Sequence, residues 1–271
     1  MSNSVAQACC RLLAGLFLLA APTAGAQTGA AAGPVRFCYS DWVPYVTGAD
    51  GPEGISVDVL TEAARRIGRE ATFTGLPWAR CLAETSRGGF DAAMDAVPRA
   101  GYVSGRHSYI FSYEGFWVRA DDPLERFTDI AEFSGRTVNL IQGWWYVDEV
   151  LRDDRLVLVR LPSEQSQLLS LQSRRQDLAF GDLVTLAKTA QALKARVRPL
   201  LPPVAEVKVY PLFNPAAAET AGRMDEAIGA MLADGAVDDI YRRHTGVSLS
   251  DLRRMVLDPA ASPALQSLLG F

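Results

Sequence analysis

The stretch Leu76–Arg99, LPWARCLAETSRGGFDAAMDAVPR, restricts the possible folds more than any other part of the chain. Trp78, Cys81, Leu82 and Thr85 recur at i, i+3, i+4 and i+7, which places them on one face of a helix. Gly88-Gly89 ends that helix. Phe90–Met94 follows as a short, mostly apolar run without alternation, as expected of a strand covered on both faces in a parallel sheet. Asp95 and Arg99 stand just beyond the strand's carboxyl end, where open α/β sheets bind ligands. A second copy of the pattern occupies Arg174–Leu186: Leu168, Leu169 and Leu171 lead into the buried run Leu178–Phe180, with Asp182 at its end. Two matching strand ends predict an α/β protein of two lobes facing one cleft.

The N-terminus is set apart before the fold is read. Met1–Arg11 is polar with one Arg, Leu12–Ala21 is apolar, and Ala24-Gly25-Ala26 is an A-x-A site. This predicts a secretory leader over 1–26, cleaved after Ala26, and a periplasmic location. The apolar run is far short of the roughly 20 residues a membrane span needs. What remains is expected to be soluble, because no later run approaches that length. The whole chain has 31 Asp plus Glu against 27 Lys plus Arg, and one of those, Arg11, leaves with the leader. A mildly acidic body with no basic run offers nucleic acid no electrostatic footprint. Of four Cys, only Cys38 and Cys81 remain, an even pair in an oxidising compartment, so either a disulfide or two buried thiols is open. With only His107 and His244 beside them, they are too few for a structural zinc site, and nothing calls for a cofactor.

Along the chain, residues 27–34 read as a flexible tether. Val35–Tyr39 is the first strand, and a Pro/Gly-rich loop over Ser40–Gly54 precedes a helix over Ser56–Gly68 and a strand over Ala71–Thr74. Tyr109–Arg119 leaves the first lobe. Then come strands at Thr137–Ile141, Leu156–Leu161 and Leu178–Phe180, helices at Tyr146–Leu151, Glu164–Arg174 and Leu183–Leu193, and a return strand at Val207–Phe213. Ala217–His244 is amphipathic, broken at Gly235, and is assigned to the first lobe. The expected division is therefore 35–119 plus 214–249 for lobe 1, 120–213 for lobe 2 and 250–271 for a C-terminal tail. Two crossings, near Arg119–Asp122 and Tyr210–Asn214, would form a hinge.

In this order the segments resemble the family 3 periplasmic solute-binding proteins, the polar amino acid receptors of ABC importers. Gly54–Leu60 is similar to the G-F-x-V-D-L opening of that family's first helix, Gly89–Ala93 to its G-x-x-D-A strand, and Arg99–Tyr102 to its R-A-x-Y segment. Gly143-Trp144-Trp145-Tyr146 stands where a G-T-x-Y turn is usual, Asp177–Asp182 resembles D-A-x-x-x-D, and Ala233–Tyr241 resembles A-D-G-x-x-x-x-I-Y. The resemblance spans Val35–Gly246. It implies a type II periplasmic binding protein fold whose discontinuous lobes close on a ligand, with Arg99 gripping an α-carboxylate and Asp182 an α-ammonium. A guanidinium fork fits a carboxylate bidentately. Arg99 as a solvated loop residue and Asp182 as the N-cap of Leu183–Leu193 stay open. The Thr or Ser usual a few residues before the Arg is missing, and Asp95 can pair with Arg99 or add an anionic contact.

Tyr39, Trp42, Tyr45, Trp78, Trp117, Trp144, Trp145 and Tyr146 are candidates for the pocket's aromatic walls, Tyr45 and Trp78 foremost. The expected protein is a monomeric, non-enzymatic receptor for an amino acid or related carboxylate, serving ABC-transporter membrane subunits. Two other readings stay in play: a sensor for a membrane receptor, and an enzyme like the periplasmic cyclohexadienyl dehydratases, with Glu114 or Asp95 as general acid. The chain has no G-x-S-x-G, H-E-x-x-H or P-loop.

Overall fold

The computed structural model describes residues 33–48 and 51–258. The expected leader over 1–26, residues 27–32 of the tether and residues 259–271 of the tail lie outside the described residues. Among those described, no helix is long and apolar enough to cross a membrane.

Among the described residues one sheet carries nine strands. Its spine runs β2 (Ala71–Gly75), β1 (Val35–Tyr39), β3 (Ala92–Ala96), β9 (Ala205–Phe213), β4 (Ile110–Arg119), β7 (Leu178–Asp182), β5 (Thr137–Ile141) and β6 (Val157–Leu161); β8 (Val197–Pro199) pairs with β4. The order shows how the chain is put together. β2-β1-β3 and β7-β5-β6 are two all-parallel groups, and between them lie β9 and β4, antiparallel to each other and to the groups they join. Each parallel group requires helical crossovers: α1 (Ile55–Arg66) and α2 (Trp78–Ser86) in the first, α3 (Asp148–Leu151) and α4 (Glu164–Gln172) in the second, while α5 (Leu183–Leu193) leads from β7 to β8. The chain passes between groups along β4, which pairs with β9 over Ile110–Glu114 and with β7 and β8 over Glu114–Arg119, and along β9, whose Tyr210–Phe213 end pairs with β3. Arg119, at the end of β4, is paired with Val197 of β8.

The helix face read from Leu76–Arg99 has a physical counterpart. Cys81 and Thr85 of α2 are fully buried, and Trp78 and Leu82 of the same helix pack with Leu76 and Phe90 around Cys38 of β1. There Cys38 and Cys81 are joined in a disulfide, which resolves the two alternatives. It closes a loop 43 residues apart in sequence. Replacing both by Ala is expected to lower stability by about 2–4 kcal/mol, because the unfolded chain gains the freedom the crosslink removes. Urea unfolding measures this, and an unchanged midpoint would argue that the bridge contributes nothing.

The last helices cover the first half. α6 (Ala218–Asp234) and α7 (Ala236–Thr245) pack on α1, separated by Gly235, whose φ of 85° favours glycine. Asp58 of α1 meets Arg243 and His244 of α7, and Arg66 meets Asp234 of α6. A further helix, α8 (Leu249–Leu257), lies largely within the stretch read as a C-terminal tail. Ser248 caps it, and Leu249, Leu252 and Val256 are buried. Its Arg253 lies 3.9 Å from the Phe111 ring of β4 and 3.6 Å from Glu206 of β9.

Candidate functional site

A cleft with about 740 Å³ of empty space, counted out to open solvent, lies at the carboxyl ends of β1 and β3 and beside the turn after β5. Its floor is made where β4 and β9 run side by side. Strand alternation decides which residues reach it: Ser112 and Glu114 of β4 and Val207 and Val209 of β9 line the cleft. Phe111 lies on the other side of β4, beneath Arg253 of α8.

The first-half wall comprises Tyr39, Asp41, Trp42, Trp78, Asp95 and Arg99. Asp95 has φ 55°, and the register of β3 against β9 shifts between Ala93 and Ala96. Such a bulge re-aims a side chain, at a backbone cost that a non-glycine residue rarely bears without tertiary support. Here Tyr109 supplies some of that support, donating its hydroxyl to Asp95 Oδ1 at 2.7 Å. Burial pushes the Asp95 carboxyl up to about 6, while the hydroxyls of Tyr109 and Ser56 hold it lower than burial alone would. Arg99 is exposed on the loop beyond and makes no ion pair among the described residues.

The second half contributes Trp144 and Trp145, presented by a turn at Gly143, whose φ is 82°. Trp144 meets Trp42 edge to face at 5.6 Å, so ring contacts bridge the two sides of the cleft. At the floor, Glu114 and Asp182 are directly opposite each other in the β4–β7 ladder. Ser112 Oγ stands between them, 2.8 Å from Glu114 Oε1 and 2.9 Å from Asp182 Oδ2. A hydroxyl has one hydrogen, so it can donate to one of these acids only; the second contact requires a proton on a carboxyl group. Burial pushes the Asp182 carboxyl up as well, but it also accepts the backbone N–H groups of Thr185 at 2.8 Å and Tyr113 at 3.1 Å, which favour the negative charge of the pair resting on it. Glu114 therefore carries the proton and donates it to Ser112, which donates to Asp182. Burial, reinforced by the Asp182 charge, pushes Glu114 up to about 8. Its Oε2 is buried without a hydrogen-bond partner.

Of the residues singled out from sequence, Arg99, Asp95, Trp78 and Trp144 come together in the cleft lining, and Asp182, Tyr45, Trp117 and Tyr146 do not. Asp182 is the N-cap of α5 and reaches the floor only through Ser112. Tyr45 is buried beneath Trp42, their rings 4.5 Å apart, and Trp117 is fully buried in the sheet. Tyr146 turns into the second core, where its hydroxyl accepts the backbone N–H of Ile141. Trp42 and Trp145 take the places given to Tyr45 and Tyr146. His107 lies outside the cleft lining, its backbone N–H bound by Asp225 of α6. Among the described residues no cluster of His, Cys, Asp and Glu could hold a metal ion.

Solved structures share this architecture. A histidine kinase sensor domain with similarity to periplasmic binding proteins superposes with a TM-score of 0.66 at 18% identity, covering 79% of this chain and 97% of that one. A mutant of ArgBP from T. maritima gives 0.66 at 17% identity, over 78% and 95% of the two chains. An arginine 3rd transport system periplasmic binding protein from Legionella pneumophila gives 0.65 at 15%, over 78% and 99%. At such identities the likeness is one of fold, the type II periplasmic binding protein fold of two lobes joined by two crossing strands. No curated relative is detectably similar in sequence. A family-wide profile does match residues 36–247, and the chain belongs to the bacterial extracellular solute-binding proteins, family 3.

Proposed function

We propose that this protein captures a free amino acid in the cleft, with Arg99 holding the α-carboxylate. The observation that carries the reading is the lining itself: one exposed guanidinium, the carboxyl groups of Asp41, Asp95 and Glu114, and four tryptophans around a space of small-molecule size. A zwitterion leaving water needs both charges matched, and aromatic walls exclude water and attract cations. The ligand bridges residues of both lobes, stabilising a closed state by contacts absent when the lobes part. The protein acts as a monomer in the periplasm, reaching it through the cleavable leader, and delivers its ligand to ABC-transporter membrane subunits. The transport-system and amino acid transporter proteins among the structural neighbours support this role.

A thermal-shift screen of the leader-free protein, refolded to strip any carried-over ligand, tests the reading against amino acids, small carboxylates, amines and arogenate. A ligand of the folded state at a hundredfold excess over Kd adds about 2.7 kcal/mol of stability. A clear rise in Tm with one amino-acid class is the expected result, and silence from every amino acid overturns it. A second reading rests on the proton held by Glu114, since a carboxylic acid kept protonated in a cleft can serve as a general acid. It takes the protein for an enzyme that eliminates water from an arogenate-like acid. Product formed from arogenate, absent with Glu114→Gln, would favour it over capture.

A further inference from the structure

We propose that Glu114 is the specificity residue that selects a ligand with a basic side chain, and that Glu114 gives up its proton when that ligand's cation binds. This rests on the reading of the cleft as an amino-acid site.

The geometry at the floor leads to it. Ser112 can satisfy only one of its two acidic neighbours as donor, so the pair holds one proton. Asp182 is engaged by two backbone N–H groups and by Ser112, which leaves it no role toward a ligand. Glu114 is the member of the pair that lines the cleft, and its Oε2 lacks a partner. A buried acceptor without a donor invites one from the ligand. A guanidinium or ammonium placed against Glu114 favours the carboxylate over the acid. The Glu114 O–H bond then breaks, its proton passes to the solvent buffer, and the ligand's cation remains protonated and donates to Glu114.

The charges around Glu114 support a cation. From β7 it faces the Asp182 carboxylate, and from the segment before α3 the neutral Tyr146 phenol, itself beside Glu164 and Arg160. Across the cleft stand Asp95, Asp41 and Arg99. β9 contributes only Val207 and Val209 to this face, its Glu206 being turned to Arg253 of α8. Arg99 matches one carboxylate of the ligand. The remaining charges are acidic, so a second cation on the ligand is compensated whereas a neutral side chain compensates nothing.

Titration calorimetry with L-arginine and L-glutamine as probes tests this at pH 7.0, in two buffers of very different protonation enthalpy. The expected result is binding of L-arginine with release of close to one proton, an affinity that rises about tenfold from pH 6.5 to 7.5, and weaker binding of L-glutamine. In Glu114→Gln the proton release disappears and L-arginine binds at least tenfold more weakly. Asp95 titrates lower, so proton release that persists in the variant belongs to it and overturns the proposal. Arginine binding to the parent protein without proton release overturns it as well, whatever the variant's fate. If L-glutamine binds and L-arginine does not, the basic-side-chain inference fails while amino-acid capture stands. If neither probe nor any other amino acid binds, both fail.

Discussion

Arg99→Ala is expected to weaken ligand capture by about 2–5 kcal/mol, roughly 30-fold to several thousandfold in Kd. The loss is large because the ligand's carboxylate would be taken from water into a closed cleft with no partner for its charge. Arg99→Lys should fall between, since an ammonium keeps the charge but not the two parallel N–H donors of the fork. Stability should not follow affinity. Arg99 is exposed and forms no ion pair among the described residues, so its removal is expected to change unfolding by less than about 0.5 kcal/mol. Unaltered urea midpoints together with a collapsed affinity would mark Arg99 as a ligand contact. A parent-like affinity would remove it from the site.

The second large effect concerns Glu114 and pH. Its carboxyl is held at about 8 in the folded protein against an ordinary 4.5. Between those values the unfolded chain has lost the proton and the folded chain keeps it, so raising the pH favours unfolding. Stability contributed by the protonated group is fully present below about pH 4.5 and is lost by about pH 8, a swing on the order of 3–5 kcal/mol. Asp95, pushed up to about 6, adds a smaller loss of the same sign at lower pH. Glu62 works in the opposite direction: hydrogen bonds from Arg65 and Arg66 hold it down to about 2, so its contribution is lost as the pH falls. Melting temperature should therefore peak near pH 5 and decline toward pH 8. Glu114→Gln, which keeps the shape but cannot ionise, should flatten the decline and exceed the parent protein at pH 8. Parallel profiles for the two would show that Glu114 is not the group responsible.

The strands and helices that periodicity could reach were largely legible. β1, β5 and α5 fall on the stretches read from sequence, because Val35–Tyr39, Thr137–Ile141 and Leu183–Leu193 carry both apolar pattern and clear stops. α8 carried a signal that went unused: Ser248 and Asp251 have capping spacing, and Leu249, Leu252 and Val256 lie on one face. It also lies past residue 247, where the family profile ends. The site was only half legible. A motif position says that Asp182 ends a strand, but not that two backbone N–H groups and Ser112 already occupy its carboxylate. Parity along β4 would have separated Glu114 from Trp117, since residues an odd number apart point to opposite faces. No local pattern distinguishes Tyr45 from Trp42, which differ only in how the Pro-rich loop folds back. That loop depends on Gly54 at φ 133°, where a Cβ would lie 2.3 Å from the Tyr45 carbonyl oxygen.

Four of the five tryptophans line the cleft, so intrinsic fluorescence reports almost directly on its occupancy. The most direct test is a fluorescence titration of the refolded, leader-free protein with each amino acid in turn. Capture in this cleft predicts a saturable change in tryptophan emission with one class of amino acid, lost in Arg99→Ala while the variant's melting curve stays that of the parent. Emission that stays flat across the whole panel, or an identical titration in Arg99→Ala, would contradict it.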